Sequence, residues 1–171
     1  RGQCIFRRHY ADLLRAMSKS RKDDEFDEAI NQLRSAEELA MGLGAADLQN
    51  YALIAQARLN RDMKRRTEAL DVLRHAEEFS RRMGVQKMLT EVLKVRGEVL
   101  LEDGETTQAG FVTAQSIAMS KRNGMRLRKI SASLIQSQIL MTRGQEKDAK
   151  RLLRETIAES QTLGYATKTS Q

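Results

Sequence analysis

The side chains able to do chemistry are few, and their spacing argues against a catalytic centre. The chain has one cysteine and two histidines. His9 and His75 stand far apart with no HxxxH or CxxC spacing near either, so no zinc site is expected. Cys4 and His9 are five apart and fall on different sides of a helix, which keeps a thiol from an imidazole base. There is no Ser, His and Asp constellation, no paired carboxylates and no GxxxxGK phosphate loop, so the expectation is no catalytic residue, no metal, no cofactor and no enzyme activity. "DDEFDE" (23–28) has the acids of a calcium loop but lacks the glycine at its sixth place and the distal glutamate. It reads instead as the acidic start of a helix. "RKIS" (128–131) matches a basophilic kinase site, yet Ser131 falls in the body of a helix. "LAMGLGAADL" (39–48) carries Gly42 and Gly44 one residue apart, the spacing of a phosphate-cradling turn.

What must position these residues is a repeat. The segments 27–44, 67–84, 107–124 and 147–164 align without a gap: Ala29, Ala69, Ala109 and Ala149 fall 40 residues apart, as do Gly44, Gly84, Gly124 and Gly164. Gly42 has no counterpart, which removes the phosphate-loop reading and leaves Gly44 as a helix stop. Within each copy apolar or small residues recur three and four apart, as at Ala29, Ile30, Leu33, Ala36, Leu39 and Ala40. That is the stripe of an amphipathic helix, here helix B. The glycine at its end supplies a left-handed residue, and Arg81, Arg82, Lys121 and Arg122 precede it where the helix dipole favours cations. A second helical stretch, helix A, precedes each B, over roughly Gln3 to Ser18, Asp47 to Asp62, Gln86 to Glu102 and Met125 to Arg143. Gly104 and Gly144 mark the A-to-B turns, with Asp23, Asp24 or Thr67 near the following N-termini as candidate caps. The expected units are about 3–44, 45–84, 85–124 and 125–164, with 165–171 the start of a further helix or a tail, in one repeat domain over 1–171. Because a helix pair cannot bury its apolar face alone, the pairs are expected to stack on their neighbours.

Composition agrees. Proline and tryptophan are absent, aromatics are 4%, and Leu, Ala, Met, Glu, Arg and Lys dominate, so the fold class is all-α. A lone cysteine leaves no internal disulfide, and there is no apolar run of membrane length or signal-peptide pattern; an intracellular protein, cytoplasmic or nuclear, is expected. The chain opens at Arg1 in helix-like sequence, from which a piece of a longer protein is expected.

The order of small residues resembles the tetratricopeptide repeat (TPR). The third copy carries it as Gly97, Gly104, Ala109, Thr113 and Ser116; the fourth as Ser137, Gly144, Ala149, Leu153 and Thr156; the second as Ala57, Lys64, Ala69, Leu73 and Ala76. The first copy departs at Met17 and Asp24 and keeps Ala29, Leu33 and Ala36. The resemblance covers nearly the whole chain. It departs in its 40-residue period, where the family's unit is 34, in Gln56, Arg96 and Gln136 where leucine is usual, and in lacking the late proline. It implies a right-handed superhelical stack, an α-solenoid, of four antiparallel helix pairs whose A helices line an inner groove. Carried over by alignment, the groove positions are Tyr51, Ile54, Arg58 and Arg61, then Glu91, Lys94 and Glu98, then Ser131, Leu134 and Gln138. They do not reproduce the family's Lys and Asn clamp for a terminal carboxylate.

The net charge of +7 is concentrated in the middle and C-terminal half. Lys64, Arg65, Arg66, Arg81 and Arg82 make a candidate basic patch for an acidic partner or for phosphate, although base-stacking aromatics are scarce. The function these features predict is non-enzymatic: a scaffold in a larger assembly that binds another protein's segment along the A-helix groove. Two alternatives stand beside it, nucleic-acid or acidic-partner binding through the region of residues 61–82, and self-association as a structural stretch of a longer solenoid or homo-oligomer. No membrane contact is expected.

Overall fold

A computed structural model describes Gly2, Gln3, Ile5, Arg7 and residues 23–163. The expected first A helix lies largely outside the described residues, as do Cys4, His9, Met17 and the stretch 165–171. Described residues 23–163 form seven α-helices and no strand: α1 Asp23–Gly42, α2 Ala46–Asp62, α3 Arg66–Arg82, α4 Gln86–Glu102, α5 Thr106–Arg122, α6 Arg126–Thr142 and α7 Glu146–Thr162. The fold is all-α and repetitive, with α2, α4 and α6 as the A helices and α1, α3, α5 and α7 as the B helices.

The local rule behind it is finer than the 40-residue repeat. From α2 onward each helix has 17 residues, and a three-residue turn separates each helix from the next, so the same backbone device recurs every 20 positions. At the centre of each turn one residue has positive φ: Gly44, Lys64, Gly84, Gly104, Gly124 and Gly144. The next residue donates its N–H five residues back, as Ala45 to Ala40 O at 2.9 Å, Arg65 to Asn60 O at 2.9 Å and Gln145 to Leu140 O at 2.9 Å. Together with the i−3 bond from the left-handed residue, this satisfies the last carbonyls of one helix while aiming the chain back along it. The helix starts differ from expectation. Thr67 is the second residue of α3, and the cap position belongs to Arg65, whose side chain makes no capping hydrogen bond; nor do the cap residues Ala45, Glu105, Met125 and Gln145. The turn itself fixes where each helix begins, so a side-chain cap is not needed to define it.

The chain divides into two compact units, Arg1–Val95 and Arg96–Gln171, the boundary falling within α4. In the first unit α1 packs on α2 and α2 on α3. Phe26, Ala29, Ile30, Leu33 and Leu59 form one cluster of its core, and Ala36, Ala40 and Ala52 another, where small side chains let the helix axes approach. Two of its buried polar pairs are Ser80 Oγ, which donates to Asn50 Oδ1 at 2.8 Å, and Gln56 Nε2, which donates to Glu37 Oε2 at 3.0 Å.

In the second unit α5 packs on α6 and α6 on α7. Gly97 on α4 meets Thr113 on α5 so closely that a Cβ at position 97 would overlap Thr113 Oγ1. Thr113 holds the position of Leu33 and Leu73 in the earlier copies. A glycine opposite it is therefore the condition for the two helices to pack at this contact.

Candidate functional site

Of the residues expected to line an A-helix groove, the first unit contains Tyr51, Ile54, Arg58 and Arg61 on α2 and Glu91 and Lys94 on α4. Three of them form one charged cluster. Arg58 Nη2 donates to Glu91 Oε1, and Lys94 Nζ reaches the same oxygen at 2.8 Å. Their side chains are 30%, 15% and 11% exposed for Arg58, Glu91 and Lys94 respectively, so two cations share one carboxylate in a mostly desolvated setting. The shared carboxylate holds both cations in fixed geometry. Arg61 is bonded to its neighbour Asp62, through Nε at 3.3 Å and Nη2 at 3.1 Å. Tyr51 is half-buried. Ile54 is 1% exposed, so it belongs to the core and offers no surface to a partner. The apolar stripe of α2 turns it into the core, whereas the alignment puts it on the groove face.

In the second unit Glu98 on α4 and Ser131 on α6 are half-buried. Leu134, 41% exposed, and Gln138 lie one turn apart on α6 and face solvent. An exposed leucine beside an exposed amide is the only pairing of apolar and hydrogen-bonding groups among the four residues of the expected groove in this unit.

The five residues of the expected basic patch do not make one surface. Lys64, Arg65 and Arg66 stand at the start of α3, and Arg81 and Arg82 at its end. At 1.5 Å per residue the two groups are roughly 24 Å apart along the helix. Several are engaged locally: Arg65 with Asp27 at 3.4 Å, Arg81 with Glu77 at 2.8 Å, and Arg82 over the Phe79 ring at 5.6 Å. No group of His, Cys, Asp and Glu capable of holding a metal ion occurs among the described residues.

A groove that sequence reasoning missed lies in the first unit. It has a volume of about 530 Å³; α1 and α3 wall it and α2 contributes Gln56 and Asn60. Asn60 is 7% exposed. One and two periods later the same position is Leu100 and Leu140. That substitution of an amide for leucine was the available signal, visible only once copies of the A helix are compared position by position.

Comparison with known protein families and with curated proteins finds no match to this chain. No helix of the described residues is long and apolar enough to cross a membrane.

Proposed function

We propose that this chain is a non-enzymatic interaction module, a TPR-like scaffold within a larger assembly, that holds a segment of a partner protein against its A-helix faces. The observation that supports this reading is the Arg58, Glu91 and Lys94 cluster, which keeps two cationic side chains ordered between α2 and α4. Such a group gains a partner's carboxylate without first losing side-chain entropy, the usual opposing cost of a charged contact. On the other unit, Leu134 and Gln138 supply an apolar anchor and an amide of the kind that fixes a bound segment's position. The test is fluorescence binding of acidic peptides to wild type, Arg58→Gln and Leu134→Ser, with circular dichroism as a folding control. Loss of affinity in either folded variant supports the reading; wild-type affinity in both overturns it.

The exposure of α7 favours a second reading, self-association. Leu153 is 39% and Ile157 46% exposed, whereas Leu33, Leu73 and Thr113, at the position of Leu153, are buried. A second copy covering that stripe would restore the burial the repeat has elsewhere. Sedimentation across a concentration series tests it: a wild-type dimer that Leu153→Glu makes monomeric supports it, and a monomer at every concentration rejects it.

A further inference from the structure

At the α2–α3 corner the chain departs from its own repeat at positions 60 and 64, beside one groove. Position 60 is leucine in the two later A helices, with Leu100 3% exposed. Asn60 occupies it at 7% exposure and lines the groove. Nothing in the packing calls for an amide there, since the repeat itself is content with leucine. An amide on the wall of a groove, where leucine serves the later copies, puts a donor and an acceptor within reach of whatever enters. Four residues on, Lys64 takes the left-handed conformation at φ 62° that glycine has in the other five turns. Non-glycine residues held there concentrate at sites where geometry serves binding.

The charges around Asn60 narrow the ligand. Of the groove's ionised groups, Asp27 is paired with Arg65 at 3.4 Å and Asp71 with Arg74 at 2.8 Å. Arg34 on α1 and Glu68 on α3 line the same groove with no ion-pair partner among the described residues. Ile30 and Val72 give the same groove an apolar strip. An amide, one free charge of each sign and an apolar strip suit neither a polyanion, which three carboxylates would repel, nor a purely apolar helix face.

We propose that this groove is a second docking site, on the B-helix side, for an extended peptide segment: Asn60 bonds a main-chain amide of the segment, Arg34 takes an acidic side chain, and Glu68 takes a basic one. A carboxamide matches a peptide group in presenting an N–H and a C=O side by side, so recognition at Asn60 is independent of the side chain there. Selectivity then comes from the two charges and from the residue seated on Ile30 and Val72. The site stands apart from the A-helix reading and does not require it.

The probe is a displayed library of random heptapeptides with both ends blocked, selected on the 171-residue chain. Selected peptides are expected to carry one acidic and one basic residue, to bind Asn60→Leu about tenfold or more weakly, and to exchange their acidic preference for a basic one on Arg34→Glu. Asn60→Leu installs the residue of the later copies and should melt no lower than wild type, so lost binding is not lost folding. These peptides should not be displaced by acidic peptides that bind the A-helix face, which separates the two sites. Equal binding to wild type and Asn60→Leu, displacement of these peptides by those that bind the A-helix face, or the absence of any heptapeptide retained by wild type overturns the proposal.

Discussion

Lys64, Gly97 and Thr113 each hold a place where one atom more or less decides local stability. A side chain in the left-handed region is strained by about 1 kcal/mol or more, which glycine avoids at the cost of a more flexible unfolded chain. Lys64→Gly should therefore raise stability by about 1 kcal/mol, read as a higher urea midpoint at unchanged slope. Thr113 Oγ1 is buried with no hydrogen-bond partner among the described residues. Thr113→Val keeps the shape and removes the stranded hydroxyl, and should stabilise by about 1 kcal/mol in the same assay. Gly97→Ala drives a methyl into that oxygen and should destabilise by about 1–3 kcal/mol. Adding Thr113→Ala to it should recover much of the loss, since the overlapping atom is then gone. At this scale the sequence displayed the anomalies as breaks in a repeat, while their consequences depended on what lay opposite.

Between elements, the shared carboxylate of Glu91 links α2 to α4 through Arg58. The three charged side chains read in sequence as solvent-facing positions of two helices, and pairing is what the packing of those helices adds. Glu91→Gln leaves two cations facing each other with no carboxylate between them. The expected loss is about 1–2 kcal/mol, below that of a fully buried pair because Arg58 retains contact with water. A double-mutant cycle with Arg58→Gln, followed by urea unfolding, should return a coupling of about 1 kcal/mol; additive losses would mean that the pair contributes nothing. The helices that carry the cluster were legible to within a residue or two, because a 17-residue helix and a three-residue turn repeat without interruption. The side-chain caps were not, because the six left-handed turns do the work that Thr67 would have done.

Across the whole chain, stability in a repeat array is a sum of local terms and nearest-neighbour interfaces. Among the helices, α7 is poorest in such terms: Ala149 and Thr156 are its buried residues, against nine on α2. Hydrogen exchange should accordingly find the amides of α7 opening at lower free energy than those of α2. Protection of α7 equal to that of α2 in the isolated monomer would contradict this. By itself the sequence determined the helical class, the 40-residue period, the position of nearly every turn and the lack of metal-ligand or nucleophile spacing. Those follow from periodicity and glycine placement, which act over one helical turn. Tertiary structure decided that Ile54 is core, that Arg58, Glu91 and Lys94 are one cluster, that the basic patch is two groups at opposite ends of α3, and that Asn60 opens on a groove. Each of these depends on which face of a helix its neighbours cover, and the rotation of one helix against the next is set by packing between residues distant in sequence.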